Sequence, residues 1–206
     1  MKKSEKTRQL IIEKSAVLFN QKGYWGTSMD DIMRATGLSK GGIYGNFGKN
    51  SQDKKGVKEE IAVAAFRHAV EVVTEEIRRR TMVIDNPVDK LKAVVYFYKE
   101  RVLMPPVEGG CPIMNTSIEA DDNQEALQEE VNKALDIWEH VIARVLQKGK
   151  DKGLVRQDIN EAHFATVFIG TLEGGILLAR IRKSALPFNL MAEQLLSLIE
   201  TLKPNG

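Results

Sequence analysis

Apolar residues in this chain recur at intervals of three and four along most of its length, and no stretch reads as a strand, so the pattern predicts helices. Ile11, Ser15, Leu18 and Phe19 mark one face of a helix over 5–22, which Gly23 stops. Thr27 opens a second: Thr27-Ser28-Met29-Asp30 offers hydroxyls and a carboxylate to the orphan amides of its first turn, and Met29, Ile32 and Met33 form its apolar side. Ser39 caps a third that runs to about Phe47. A long helix follows from Glu59 to about Arg80, and Asn86-Pro87 starts another that Pro105-Pro106 ends. Segments over 113–119, 123–152, 158–181 and 187–202 complete an all-α fold of about nine helices.

Composition narrows the function classes. Of 206 residues 43% are apolar and 28% charged, which excludes a disordered or fibrous chain. Cys111 is the single cysteine, so no intrachain disulfide forms, and the first residues lack the apolar core of a secretion signal. The expected location is therefore the cytoplasm. The most apolar stretch, 164–181, is interrupted by Thr171, Glu173 and Arg180, and no membrane partner is expected. Residues 1–58 hold 12 Lys+Arg against 5 Asp+Glu, a net +7, whereas the remainder is −5. That split suits a basic module for a polyanion joined to a body with another task; a solvated basic face gives the same count.

The turn Thr36-Gly37-Leu38 between two short capped segments is the spacing of a helix-turn-helix, which exposes its second helix to the major groove. An ordinary helical hairpin has the same local pattern. The basic flank favours the DNA reading.

Over about 40 residues, TRQLIIEKSAVLFNQKGYWGTSMDDIMRATGLSKGGIYGNF resembles the DNA-binding domain of TetR-family transcriptional regulators. Leu18-Phe19, Gly23-Tyr24, Thr27-Ser28, Asp31-Ile32, Gly37-Leu38-Ser39-Lys40-Gly41, Tyr44 and Phe47 arrive in family order. The resemblance implies a DNA-binding domain over 1–58, an effector-binding and dimerisation domain over 59–206, and double-stranded operator DNA, a homodimer and a small-molecule effector as partners. It also implies that Thr27, Ser28, Lys40 and Tyr44 hold phosphates, the work of hydroxyls, a lysine and helix amino termini. Ser39, Gly41, Gly42, Gly45 and Asn46 then lie on the DNA-facing side of the third helix, where the Asn46 amide suits adenine N6 and N7. Its glycines either admit the DNA backbone closely or mark the helix start and an internal packing contact.

Two departures stand out. Met33 occupies a position where the family usually has alanine, and about eight residues look inserted after Phe47, giving a basic loop at about 48–57. The phosphate-contacting lysine expected after that loop is Lys58, with Lys49 an added contact.

In the body, Phe164, Val167, Phe168, Thr171, Gly175 and Leu178 form one apolar stripe, and Gly170 and Gly174 permit close helix approach. Val167, Thr171, Gly174, Gly175, Leu178, Leu195, Leu198 and Ile199 are the expected dimer contacts; an intrachain core is the alternative. Phe66, Tyr96, Phe97, Met104, Met114, Trp138, Phe164 and Phe168 are candidates to line an effector cavity for an apolar or aromatic molecule, each with a plain core role as the alternative. Cys111, in EGGCPIMNTS, is also a ligand-site candidate, and either a redox or electrophile switch or a small buried residue. No metal spacing, cofactor cradle or nucleophile elbow is present, so no enzyme and no cofactor is expected. A Cys-dependent acyl-transfer enzyme and a helical interaction module without DNA are the distant alternatives.

Overall fold

A computed structural model of the chain describes residues 3–48, 54–120 and 124–204. Among them are nine helices and no strand: α1 (Lys3–Gly26), α2 (Met29–Thr36), α3 (Lys40–Tyr44), α4 (Lys54–Thr81), α5 (Pro87–Arg101), α6 (Pro112–Ala120), α7 (Glu125–Asp151), α8 (Glu161–Arg182) and α9 (Leu186–Glu200). The periodic segments and the helices coincide closely, because an apolar stripe at helical spacing has only one way to face a core. Gly23 stops the regular part of α1 with φ 75, as its position predicts. Asn86 caps α5 by accepting from the amides of Val88 and Asp89.

Three boundaries differ from expectation. Ser28, not Thr27, caps α2, and its partner in the capping box is Asp31 rather than Asp30. The recognition segment ends its helix at Tyr44, with Asn46 and Phe47 in the turn beyond. Helix α4 begins at Lys54, so the end of the loop expected at 48–57 is helical; Val57 is buried against Ile43 and Ile61 and supplies the reason. Lys49 lies outside the described residues.

Packing groups the chain into two compact units. One comprises Met1–Val73 and Val107–Ala134, so α6, which packs on α1, and the start of α7 group with the helix-turn-helix. Its core is Ile11, Ile12, Ile32, Ile43, Phe47, Val57 and Ile61, flanked by Leu18, Phe19, Met29, Met33 and Tyr44. Five isoleucines and Val57 around one phenylalanine give α2 and α3 a fixed seat on α1 and α4.

A polar clasp joins α1 to α6 in this unit. Asn20 Nδ2 donates to the carbonyls of Glu108 (2.9 Å) and Gly110 (3.1 Å), and Asn115 Nδ2 donates to the Asn20 carbonyl (3.0 Å), Asn20 Oδ1 (2.9 Å) and the Gly109 carbonyl (2.9 Å). One turn later on α6, the Glu119 carboxylate accepts the Tyr24 backbone N–H, freed by the break at Gly23.

Arg67 on α4 grips Glu130 on α7 with two bonds, Nε at 2.6 Å and an NH2 group at 2.8 Å, and Lys133 Nζ adds a third at 2.9 Å. Arg67 first and Lys133 second hold the Glu130 pKa down to about 2. A carboxylate depressed below its ordinary 4.5 contributes stability that is full above that value and lost as pH falls towards 2. Because Arg67 is largely exposed, solvent screening leaves about 1 kcal/mol. Urea unfolding at pH 7 and pH 3 is therefore expected to separate the native chain from Glu130→Gln at the higher pH and to narrow the gap at the lower. Equal separation at both would show that the carboxylate charge contributes nothing.

The second unit, Thr74–Pro106 with Leu135–Gly206, holds α5, α8 and α9. Phe164, Phe168, Leu172 and Ile176 of α8 and Phe188, Ala192, Leu195 and Ile199 of α9 form its interior. Gly175 receives Phe188 and Met191 at 3.0–3.4 Å from where a Cβ would stand. Thus Gly175, Leu195 and Ile199, expected at a subunit contact, belong to the intrachain core. A different stripe of α8 is left outside: Val167, Leu177, Leu178 and Ile181 are exposed, Ile181 at 76%, and Cβ atoms at Gly170 and Gly174 would meet nothing within 4 Å. Thr171 is half-buried with its hydroxyl on the Val167 carbonyl, and Leu198 is half-buried. By length and composition alone α8 is also apolar enough to cross a bilayer, with a mean hydropathy of 1.5, because Glu173 and Arg180 interrupt it less than expected.

Candidate nucleic-acid interface

The interface is built from α2, its turn and α3. Gly37 ends α2 in the left-handed region, φ 68, with its N–H on the Met33 carbonyl, so the chain reverses within three residues. Ser39 then caps α3 by accepting the Gly42 N–H at 3.3 Å. Ile43 and Phe47 point into the core while Ser39, Lys40 and Gly41 are exposed. Arg8 places its guanidinium 4.1 Å from the Phe47 ring centroid and pairs with Glu60, and Glu60 Oε2 accepts the Gly48 N–H at 2.9 Å. These two contacts, which sequence spacing does not reveal, tie the end of the recognition segment to α1 and α4.

Each expected DNA contact among the described residues has a definite place. Thr27 is 0% exposed, and its hydroxyl donates to the carbonyls of Gly23 (2.8 Å) and Leu18 (3.3 Å). Its expected hold on a phosphate is corrected: the side chain stitches the end of α1. Ser28 is exposed, but its Oγ accepts the Asp31 N–H (3.1 Å) and donates to Asp31 Oδ2 (2.7 Å). Those Ser28 bonds, with Lys22 and Arg34, keep the Asp31 carboxyl far below the usual carboxylate range. Lys40 Nζ stands 5.8 Å from the Tyr44 ring centroid, at the surface. A Cβ on Gly41 would meet nothing within 4 Å, and its φ is not positive, so nothing inside the subunit requires glycine there. Gly42 has ordinary clearance and Gly45 meets only its own helix, the Gly41 carbonyl at 3.1 Å.

Asn46 donates one amide hydrogen to the Gly42 carbonyl at 2.8 Å, leaving its second hydrogen and its oxygen for a partner. Lys58 is not an extended surface cation: its Nζ stands 4.1 Å from the Tyr24 ring centroid and 6.0 Å from that of Trp25. Burial lowers its pKa, against the opposing charge of Glu119.

The effector candidates are divided between the two units. Phe66 lines a cavity of about 20 Å³ in the first unit with Phe19, Tyr24, Asn115 and Glu119, room for about one water. Cys111, 8% exposed, and half-buried Met114 lie in the same unit. In the second, Phe164 stacks on Phe168 at 5.8 Å, Phe97 meets Tyr98 at 5.1 Å, and Tyr98 lies 6.4 Å from Trp138. Tyr96 and Met104 are exposed, Met104 at 71%, which corrects their expected place in a buried lining: they fall on the outward side of α5 and beyond its end.

Residues 11–51 match the bacterial regulatory proteins of the tetR family, and residues 87–195 match the tetracyclin repressor-like C-terminal domain. A solved TetR transcriptional regulator from Chloroflexus aurantiacus is 36% identical, with a TM-score of 0.90 over 98% of each chain. A TetR-family regulator from Cytophaga hutchinsonii is 31% identical, with a TM-score of 0.88 over 100% of this chain and 99% of that one. The transcriptional repressor DhaR of Mycobacterium sp. is 24% identical over 88% of this chain and 86% of its own. Members of this group are regulators rather than enzymes, and with both halves matched and the helix-turn-helix in place, the chain belongs to the TetR family of transcriptional regulators.

Proposed function

We propose that this regulator is a cytoplasmic repressor that grips a pseudo-palindromic operator as a homodimer and releases it when a small apolar or aromatic effector binds in its body. The observation that carries the reading is the way α3 is held: Ile43 and Phe47 anchor one side while Lys40 and Gly41 stand outward, with open space where a Gly41 Cβ would be. Ser28, Lys40, Tyr44 and Lys58 take phosphates, Gly41 and Gly42 let the helix backbone approach, and Asn46 reads a base. Two such helices must reach successive major grooves roughly 34 Å apart, and the uncovered stripe of α8 is the surface on which a second copy would sit. Repression is favoured by the likeness to DhaR, which is named a repressor. Release needs only about 1–3 kcal/mol of differential effector affinity between two arrangements.

The test is a mobility shift on the intergenic DNA upstream of its own gene at several salt concentrations. Binding should fall steeply with salt. Lys40→Ala is expected to weaken every sequence and lower the salt slope by about one, whereas Asn46→Ala should cost about 1–3 kcal/mol at one position of each half-site and relax preference there. Uniform weakening by Asn46→Ala would remove it as a base reader, and salt-independent binding would remove the whole assignment.

A further inference from the structure

Lys58 and Glu119 reach the same residue from opposite parts of the sequence. The Lys58 ammonium covers the Tyr24 ring at 4.1 Å, and the Glu119 carboxylate accepts the Tyr24 backbone N–H. The approach is built into the fold. Gly23 has no side chain where a Cβ would overlap the Glu119 carboxylate, and Asn115, one turn earlier on α6, is locked onto Asn20 at 2.9 and 3.0 Å. The other charged group acting on Tyr24 is Glu59 on α4 itself. A lysine at the amino end of α4 thus has its ammonium drawn in over two aromatic rings, within the field of a carboxylate from α6.

We propose that Glu119 is a regulatory residue that competes with the DNA backbone for the Lys58 ammonium, so that the position of α6 sets the strength of one phosphate contact in each subunit. This rests on the reading of Lys58 as a phosphate contact. A phosphate must take the ammonium out of the field of Glu119; the carboxylate opposes that move while α6 is clasped to α1, and less when α6 withdraws. Linkage requires the reverse as well: duplex DNA that captures Lys58 loosens the hold of α6.

A double-mutant cycle on the full-length protein tests the competition. The probe is a labelled mixed-sequence duplex of roughly 30 base pairs, titrated between about 50 and 200 mM salt, so that phosphate contacts are read without knowledge of the operator. Glu119→Gln keeps an oxygen for the Tyr24 N–H and removes only the charge. It is expected to tighten binding about three- to tenfold at low salt, the size of one screened charge pair, and to have no effect when Lys58 is already methionine. An equal change in both backgrounds, or none in either, overturns the competition. Lys58→Met alone reads the underlying assignment: it should weaken binding and reduce the salt slope by about one. If it does neither, Lys58 is no phosphate contact and both readings fall, whereas weakening without dependence on Glu119 sinks the competition alone. Should Glu119→Gln lower the thermal midpoint, the same cycle with Glu119→Asp, whose charge is drawn back by one methylene, must give a smaller change of the same sign.

Discussion

Phe47→Ala is expected to destabilise the DNA-binding unit by about 3–5 kcal/mol, the range for emptying a wholly buried aromatic site. Phe47 is 0% exposed and sits among Ile11, Ile32, Ile43 and Ile61, with the Arg8 guanidinium over its ring. Its removal strips contacts from every helix that seats α3 and leaves Arg8 with Glu60 as its partner among the described residues. A typical domain has only about 5–15 kcal/mol in total, so urea unfolding should show an early transition and duplex binding should fail on all sequences alike. Ile43→Val, which deletes one methyl group in the same cluster, should cost about 0.5–1.5 kcal/mol and leave binding measurable. A loss below about 1 kcal/mol for Phe47→Ala would mean that the cluster collapses freely around the gap, and the rigid seat argued for α3 would be wrong.

The nine helices were legible because each carries a stripe of apolar residues, and a stripe at that spacing declares its own secondary structure. What the stripe cannot declare is its partner. Leu195, Ile199 and Gly175 have the same sequence character as Val167 and Leu178, yet the first three face their own subunit and the last two face outward. Thr27 and Ser28 are adjacent hydroxyls, and only the break at Gly23 decides that the first turns inward to carbonyls while the second caps α2. The start of α4 escaped because Lys54, Lys55 and Gly56 show no apolar period, and a single buried residue, Val57, anchors that turn.

The clasp was the least visible feature. Asn20 and Asn115 are 95 residues apart, and an amide pair that satisfies loop carbonyls leaves no periodic trace. Gly23 alone signalled that the chain does something unusual there. The expected effector residues are the least separable from plain core: composition does not distinguish a stacked pair such as Phe164 and Phe168 from a ligand wall.

Charge placed on the open stripe of α8 should have the largest functional effect of any surface change. Leu178→Asp and Ile181→Asp each put a carboxylate where a partner helix would bury an apolar side chain, and a two-fold interface meets every substitution twice. Burying one such side chain contributes about 1.5–3 kcal/mol, so a single substitution removes roughly twice that from the proposed dimer and adds the desolvation of two carboxylates. Sedimentation should show the double variant as a lone protomer with its helical content and its unfolding midpoint at high dilution unchanged, because neither residue belongs to the interior of its own subunit. Operator affinity should then fall by about a hundredfold or more, the loss expected when two linked half-site contacts become independent, while the salt slope per protomer stays as before. Leu195→Ala must behave differently. That residue is wholly buried between α9 and its neighbours, so it should lower the unfolding midpoint without splitting the dimer. A double variant that still sediments as a dimer would move the subunit contact off α8 altogether.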